Sequence, residues 1–505
     1  MSFLAHLPIL PILVPALAAS LALLVMRRRR GLGVTISLVS GLALLATALA
    51  LMAGAQGGSI TAYALGAWPA PFGIVLVVDR LAALMLVLTA VLSLVALGHA
   101  VLTGADRKGW HFHPLFQFQL MGLNGAFLTG DLFNLFVFFE VLLIASYGLM
   151  LHGQGPARLK AGVQYVVVNL VGSALFLIAL GMLYALTGTL NMADMGLRVV
   201  EVAPADQGLL RIAGLLLASV FALKAALAPL HLWLPRTYAV ATPAVAALFA
   251  IMTKVGVYAI IRVVPQVFGP GAGAAAWVPA PYLLPAALAS TVIGFAGVFV
   301  ARSLSEQAAY AVIGSTGTLL IAVAGWSADS LAAALYYLVH STLAGAALFL
   351  VADIAARRRG SFGDAAHPGP NFDGRGTIAL VFMAAAIAAT GLPPLSGFIG
   401  KLLILKSVAA LPHWGWAWSV ILGTTFLGVV GFARTGSAVF WKSVEGDAAP
   451  APATRVDLLA PALALALLAA LSAGAGWASA YTSAAAAQVL DPAQSARVVL
   501  AEAQR

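Results

Sequence analysis

Ser219-Val-Phe-Ala-Leu-Lys224-Ala-Ala-Leu-Ala-Pro229-Leu-His231-Leu-Trp-Leu-Pro235-Arg236 is an apolar stretch with a charge inside it and two prolines across it. A charged side chain deep in a bilayer is costly, and such residues line a protein interior or a hydrated path. Proline removes a backbone donor and interrupts a helix. A broken helix at membrane depth is tolerated only where it is buried in protein or borders a cavity. Lys224 beside Pro229 therefore points to ion handling. The bland alternative is a lysine whose stem reaches toward an interface.

The rest of the chain agrees with a membrane setting. Of 505 residues, 62% are hydrophobic and 9% are charged, against about 25% charged in a soluble domain. Long continuous apolar runs exclude a β-barrel, whose strands alternate. The chain is read as an all-α polytopic membrane protein. It has no cysteine, which excludes disulfides and cysteine-ligated iron–sulfur clusters. No phosphate loop and no dinucleotide fingerprint follows a strand, so no cofactor is expected, and no metal motif has credible context.

Fourteen spans of roughly 20 residues are read, near 4–26, 32–53, 72–102, 114–129, 132–151, 162–186, 209–234, 239–264, 282–301, 308–326, 331–355, 377–408, 414–441 and 458–480. Arg27 to Arg30, Arg107-Lys108, Arg158 and Lys160, Arg236, Arg302, Arg357 to Arg359, and Lys442 with Arg455 fall on alternate loops. By the positive-inside rule those loops face the cytoplasm and both termini face outward, which predicts a multi-pass protein of the bacterial inner membrane. The net charge of +10 is thus topological, and nucleic acid is not a predicted partner.

Residues 1–103 hold three N-terminal spans, 113–265 a first five-helix repeat, 282–441 a second, and 456–482 the last span. An odd number of spans per repeat inverts the second relative to the first. The fourth span of each repeat carries both a proline break and a lysine: Pro229 with Lys224, and Pro393-Pro394 with Lys401. Paired interrupted helices in matching positions are the best sequence pointer to a transport site.

Other titratable groups sit mid-span. Glu140 lies in the fifth span, Lys254 in the eighth and His340 in the eleventh. The bland readings are a helix-clasping acid for Glu140 and a hydrogen-bonded packing residue for His340. The functional reading is a proton relay over Glu140, Lys224, Lys254, His340 and Lys401, since protons hop along chains of titratable groups and water. Asp79 and Arg80 are expected to pair with each other, His111 and His113 to lie at the surface, and Asp353 to end the eleventh span. His231 is a candidate for a proton entrance. Thr253, Ser315 and Ser341 are candidates to hold water or, more blandly, to bond their own backbone.

Four stretches carry a family resemblance: Gly130-Asp-Leu-Phe-Asn-Leu-Phe-Val-Phe-Phe-Glu140, Leu223 to Arg236, Met252-Thr-Lys254-Val-Gly-Val-Tyr258, and Gly391-Leu-Pro-Pro-Leu-Ser-Gly-Phe-Ile-Gly-Lys401. With them the chain resembles the antiporter-like membrane subunits shared by respiratory complex I and the Mrp (Pha, Mnh) multisubunit cation/proton antiporters, and the wording is nearest the Mrp type. The resemblance implies a Glu140–Lys224 switch, a central relay of Lys254 and His340, and proton passage onward through Lys401. It implies a secondary-transporter subunit rather than an enzyme, working beside other large and small antiporter subunits, with H+ and a monovalent cation, Na+ by expectation, as cargo. The alternative is a proton-pumping membrane-arm subunit of a complex I-type NADH:quinone oxidoreductase.

Overall fold

The computed structural model describes residues 3–25, 29–68, 70–412, 414–444 and 455–502. Arg27 and Arg28 of the first basic run lie outside the described residues. Helices α1 (Leu10–Val25) and α2 (Arg30–Ala55) lead into a hairpin of β1 (Thr61–Ala64) and β2 (Val75–Val78), antiparallel with Thr61 opposite Val78. The hairpin takes the start of the predicted third span, so α3 (Arg80–Leu102) begins only where Asp79 caps it, its Oδ1 accepting the Ala82 amide at 2.8 Å. Such a cap satisfies one of the orphan donors of a helix N-terminus. The expected Asp79–Arg80 pair does not form. Asp79 takes a two-pronged contact from Arg262 at 2.5 and 2.8 Å, and Arg80 donates to the Gln56 carbonyl at 2.6 Å.

Helices α4 (Phe112–Leu128) and α5 (Leu132–Met150) form a tight pair, with Asp131 capping α5 through the Asn134 amide at 2.7 Å. Helix α6 (Pro156–Thr187) opens on a proline, whose missing donor is free of cost in a first turn. After the short α7 (Met192–Arg198), α8 (Gln207–Lys224) and α9 (Leu234–Val240) are the halves of the broken seventh span. Ala226 turns to φ 53°, the Leu227 amide reaches back to the Ala222 carbonyl at 2.9 Å, and the Ala228–Pro229 bond is cis.

The eighth span is also interrupted, where a continuous helix is expected. Helices α10 (Pro243–Phe249) and α11 (Met252–Phe268) are separated by Ala250 and Ile251. No proline or glycine stands there. Instead the Tyr238 hydroxyl takes the Phe249 carbonyl at 2.8 Å, and the amides of Ala250 and Ile251 close tight turns onto Ala247 and Leu248. A tertiary hydrogen bond replaces a helical one, which local sequence cannot announce.

Helices α12 (Ala280–Val300) and α13 (Leu304–Val323) precede α14 (Ala328–Arg358), a continuous helix of 31 residues. Asp353 does not end it but lies inside it, 2.8 Å from His99 of α3. Helices α15 (Arg375–Thr390) and α16 (Ser396–Val408) are the halves of the broken twelfth span, hinged on Gly391 at φ 75° beside a cis Pro393–Pro394 bond. Helix α17 (Trp414–Gly436) ends in a π turn, α18 (Leu459–Ala473) and α19 (Ala475–Val489) occupy the last span, and α20 (Pro492–Glu502), not expected, packs on α7 and β1.

Among the described residues, 11 helices are long and apolar enough to cross a membrane. The remaining three of the fourteen predicted spans are α4, α13 and the α15–α16 pair. Helices α4 and α13 are buried nearly throughout and carry polar residues such as Gln117, Asn124, Gln307 and Thr316 that face other helices rather than lipid. The segment 243–268 is buried but for the partly buried Pro243, Arg262 and Gln266, and α14 is buried over most of its length, whereas α6, α17 and α18 present most of theirs outward. The core therefore lies around α10, α11 and α14. At one end of α14 the buried Arg359 donates to the carbonyls of Gly363, Ala365 and His367, folding the longest polar loop around one guanidinium.

Candidate functional site

Each central lysine sits within two turns of a helix interruption. Lys224 is the last residue of α8, Lys254 lies in the first turn of α11, and Lys401 in the second turn of α16. They are 7%, 0% and 5% exposed, and His340 of α14 is 1% exposed. None of the three lysines reaches an interface, so the snorkelling alternative for Lys224 is removed.

Their partners are neutral. Lys224 Nζ donates to Asn169 Oδ1 at 3.1 Å and stands 6.0 Å from the Phe139 ring centre. Lys254 Nζ donates to Thr316 Oγ1 at 3.0 Å. Lys401 Nζ donates to Thr425 Oγ1 at 2.7 Å and to the Thr390 carbonyl at 2.8 Å, and it faces the Phe295 ring at 5.0 Å. Thr390 closes α15, so this ammonium caps the carbonyl end of a half-helix, where the helix dipole favours positive charge. Among the described residues, no ion pair joins any of these lysines to a carboxylate.

Glu140, on α5 and half-buried, accepts a short hydrogen bond from Ser173 Oγ. Ser173 and Asn169 are four residues apart on α6, hence on one face. That face bridges the acid to Lys224, and Glu140 is the charge facing that lysine. The two are neighbours bridged by the polar face of α6, with no salt bridge between them among the described residues.

Close backbone approach brings α11, which carries Lys254, against the end of α8, which carries Lys224. A Cβ on Gly256 of α11 would stand 2.5 Å from the Ala225 nitrogen, 2.7 Å from the Phe221 carbonyl oxygen and 2.9 Å from the Lys224 carbonyl carbon. Only glycine lets α11 lie against the end of α8. In the second half, His340 Nδ1 lies 2.9 Å from Ser396 Oγ, and Gly397 leaves room for its Nε2. Lys401 and Lys254 are the charges that His340 faces. Four of the five, Lys224, Lys254, His340 and Lys401, are buried on α8, α11, α14 and α16, and Glu140 is half-buried on α5.

The two proline breaks are not equivalent. Lys224 precedes its break and Lys401 follows its own, so the lysines belong to opposite halves of their spans. The freed carbonyls differ too: Leu223 gives its oxygen to Trp233 Nε1 at 3.2 Å, while Thr390 gives its own to Lys401.

Several partners were not legible in advance. Asn169, Ser173, Thr316, Ser396 and Thr425 are single polar residues in apolar helices, a weak signal shared by many that bond only their own backbone. Thr253, Ser315 and Ser341 do the latter, at 3.5, 2.9 and 3.2 Å. His113 is buried rather than superficial, 3.1 Å from Ser37 Oγ and 3.4 Å from Asp106, because α4 packs on α2 there; His111 is exposed as expected. His231 is buried in the turns after Pro229. Among the described residues, no group of three or more His, Cys, Asp or Glu has metal-binding geometry.

The family described as NADH:quinone oxidoreductase/Mrp antiporter, transmembrane, matches residues 129–428. The chain is 41% identical to the probable K(+)/H(+) antiporter D subunit of Rhizobium meliloti (strain 1021), over 87% of this chain and 88% of that one. It is 35% identical to the Na(+)/H(+) antiporter D subunit of Bacillus subtilis (strain 168), over 98% and 99%. A chain of the Mrp complex from Dietzia sp. DQ12-45-1b superposes with a TM-score of 0.89 at 28% identity, covering 99% of this chain and 100% of that one. A chain of respiratory complex I from Thermus thermophilus has the same fold, with a TM-score of 0.78 at 24% identity, covering 96% and 99%.

Proposed function

The chain belongs to the NADH:quinone oxidoreductase/Mrp antiporter membrane family, and from that membership we propose that it is the proton-translocating, D-type subunit of a multisubunit monovalent cation/proton antiporter. The observation that carries the reading is the setting of the three lysines: buried, beside helix breaks, held by hydroxyl, amide and carbonyl oxygens and by no carboxylate. An ammonium held in this way loses a proton without stranding a counter-charge, whereas breaking a buried ion pair leaves one. Protons pass among Glu140, Lys224, Lys254, His340 and Lys401. Glu140 favours the charged form of Lys224 when near it and releases it on moving away.

The five-helix groups 113–265 and 282–441 are the two halves between which the proton is handed. The partners are the other large and small antiporter subunits, and the cargo ions are H+ and a monovalent cation, Na+ in the first instance. The setting is the bacterial cytoplasmic membrane, with both termini outward. The role is secondary transport rather than enzyme catalysis. The test is cation-driven proton exchange by the assembled complex in inverted vesicles. Lys254→Ala and Glu140→Ala should each abolish exchange and leave assembly on a native gel unchanged. A scaffold role for these charges predicts the reverse: lost assembly, or assembled complex with full exchange.

A further inference from the structure

Helix α6 shows most of its surface outward, with Leu159, Val163, Val167, Leu170 and Val171 exposed. Its inward face carries Tyr165, Asn169 and Ser173, one helical turn apart and all buried. Ser173 reaches Glu140 and Asn169 reaches Lys224, so two of these three polar groups are already occupied by the charged pair. The third leads away from it. Tyr165 is fully buried, its ring stacked on Trp233 at 5.4 Å between centres, and its hydroxyl is 2.8 Å from Ser146 Oγ of α5. Ser146 Oγ also donates to the Leu143 carbonyl at 2.7 Å, and a hydroxyl has one proton. The Tyr165 hydroxyl is therefore the donor between them.

The next residue supplies the second, independent observation. The Tyr147 ring meets Tyr165 edge-on at 5.4 Å, and its hydroxyl oxygen is buried with no hydrogen-bond partner among the described residues. A buried polar atom without a partner calls for an explanation, and a phenylalanine would fill the place without leaving one. Tyr147 is seven residues from Glu140 on α5, two turns along the same face and about 10 Å along the axis. Gly148, next in the chain, lines a cavity of about 930 Å³ at the end of the α4–α5–α6 group, together with Lys108, His111 and His152.

We propose that Ser146, Tyr147 and Tyr165 form a hydroxyl limb that carries protons between this cavity and the Glu140–Lys224 pair. The inference rests on the transport reading above. At each hydroxyl the oxygen accepts a proton on a lone pair and gives up its own proton to the next acceptor, so no net charge is left behind; Ser146 must first rotate its proton off the Leu143 carbonyl to hand it toward Glu140. The last acceptor is the Glu140 carboxylate, reached across the remaining two turns through water. Ser146 and Tyr165 act as relay groups in contact. Tyr147 supplies the free hydroxyl on the Glu140 face.

The experiment uses the whole complex in inverted vesicles, with cation-driven proton exchange read by a pH-sensitive dye and assembly read on a native gel. Ser146→Ala and Tyr165→Phe should each slow exchange, on the order of tenfold or more for loss of a proton-transfer group, while Ser146→Thr retains it. Tyr147→Phe is the decisive variant. It removes an unpaired buried hydroxyl, so thermal stability should hold or rise while exchange falls. A purely structural role moves the two readouts together or moves neither. If Tyr147→Phe and Ser146→Ala both exchange at the wild-type rate in vesicles where Glu140→Gln is inactive, the limb is wrong and the transport reading stands. If the wild-type complex itself exchanges no protons, the reading beneath it fails.

Discussion

Gly256→Ala isolates the contact that sets the spacing of two relay lysines. In a helix interior alanine is favoured over glycine by about 1 kcal/mol, so without tertiary structure the substitution should stabilise. The structure reverses the sign. The new Cβ meets three backbone atoms of the α8 terminus at 2.5, 2.7 and 2.9 Å, and backbone in a packed core cannot rotate away. Overpacking of this kind costs about 1–3 kcal/mol, which equals or exceeds the propensity gain. The helices must part by several tenths of an ångström, and Lys254 moves with α11 away from Lys224. Displacements on the 1 Å scale cost up to about 100-fold in geometry-sensitive steps, so proton exchange should fall by roughly tenfold while the protein still assembles. Gly41→Ala on α2 is the control, because its Cβ would meet only the Leu94 side chain, its tip at 2.8 Å, a group able to change rotamer. The assay pairs the thermal melting of the purified complex with dye-monitored exchange. A Gly256→Ala complex that melts no lower than wild type and exchanges at full rate would refute the argument that this close approach positions the relay.

Two further outcomes test other parts of the structure. Asp79→Asn removes one partner of a buried two-pronged ion pair with Arg262; breaking such a pair costs about 3–5 kcal/mol. The amount of folded protein recovered after mild heating should drop sharply, and wild-type recovery would show the pair to be dispensable. His152 lies outside the spans, its Nε2 2.8 Å from the Ala105 carbonyl, and burial holds its imidazole below the ordinary value of 6.5. The unfolded loop therefore takes up a proton before the folded one does, and stability is lost as pH falls below about 6.5. The protection of residues 151–155 against hydrogen exchange, taken relative to the intrinsic rate at each pH, should fall between pH 7.5 and 5.5, and His152→Gln should remove that dependence; a wild-type loop equally protected at both values would contradict the sign.

The same physics explains which features were legible early. Apolar runs of bilayer length, basic residues on alternate loops, and prolines beside lysines are properties of the chain itself, since lipid selects composition residue by residue. They determined the helical membrane class, the broken seventh and twelfth spans, and the five titratable groups. Asp79 was misread because a neighbour in sequence looked like its partner, while its ion pair lies on α11. Asp353 was misread because a charge near a helix end resembles a terminator, whereas His99 of α3 satisfies it within the helix.

The interruption before Lys254 could come only from the folded molecule. It exists because Tyr238 competes for the Phe249 carbonyl, and neither residue signals this alone. The same holds for the oxygens around the lysines, for the Gly256 contact and for the unpaired Tyr147 hydroxyl. Sequence determined that charge would be buried, because a lysine inside an apolar helix admits few other outcomes. Tertiary packing decided what each charge meets, because a hydrogen bond spans about 3 Å and only the assembled helices place two atoms that close.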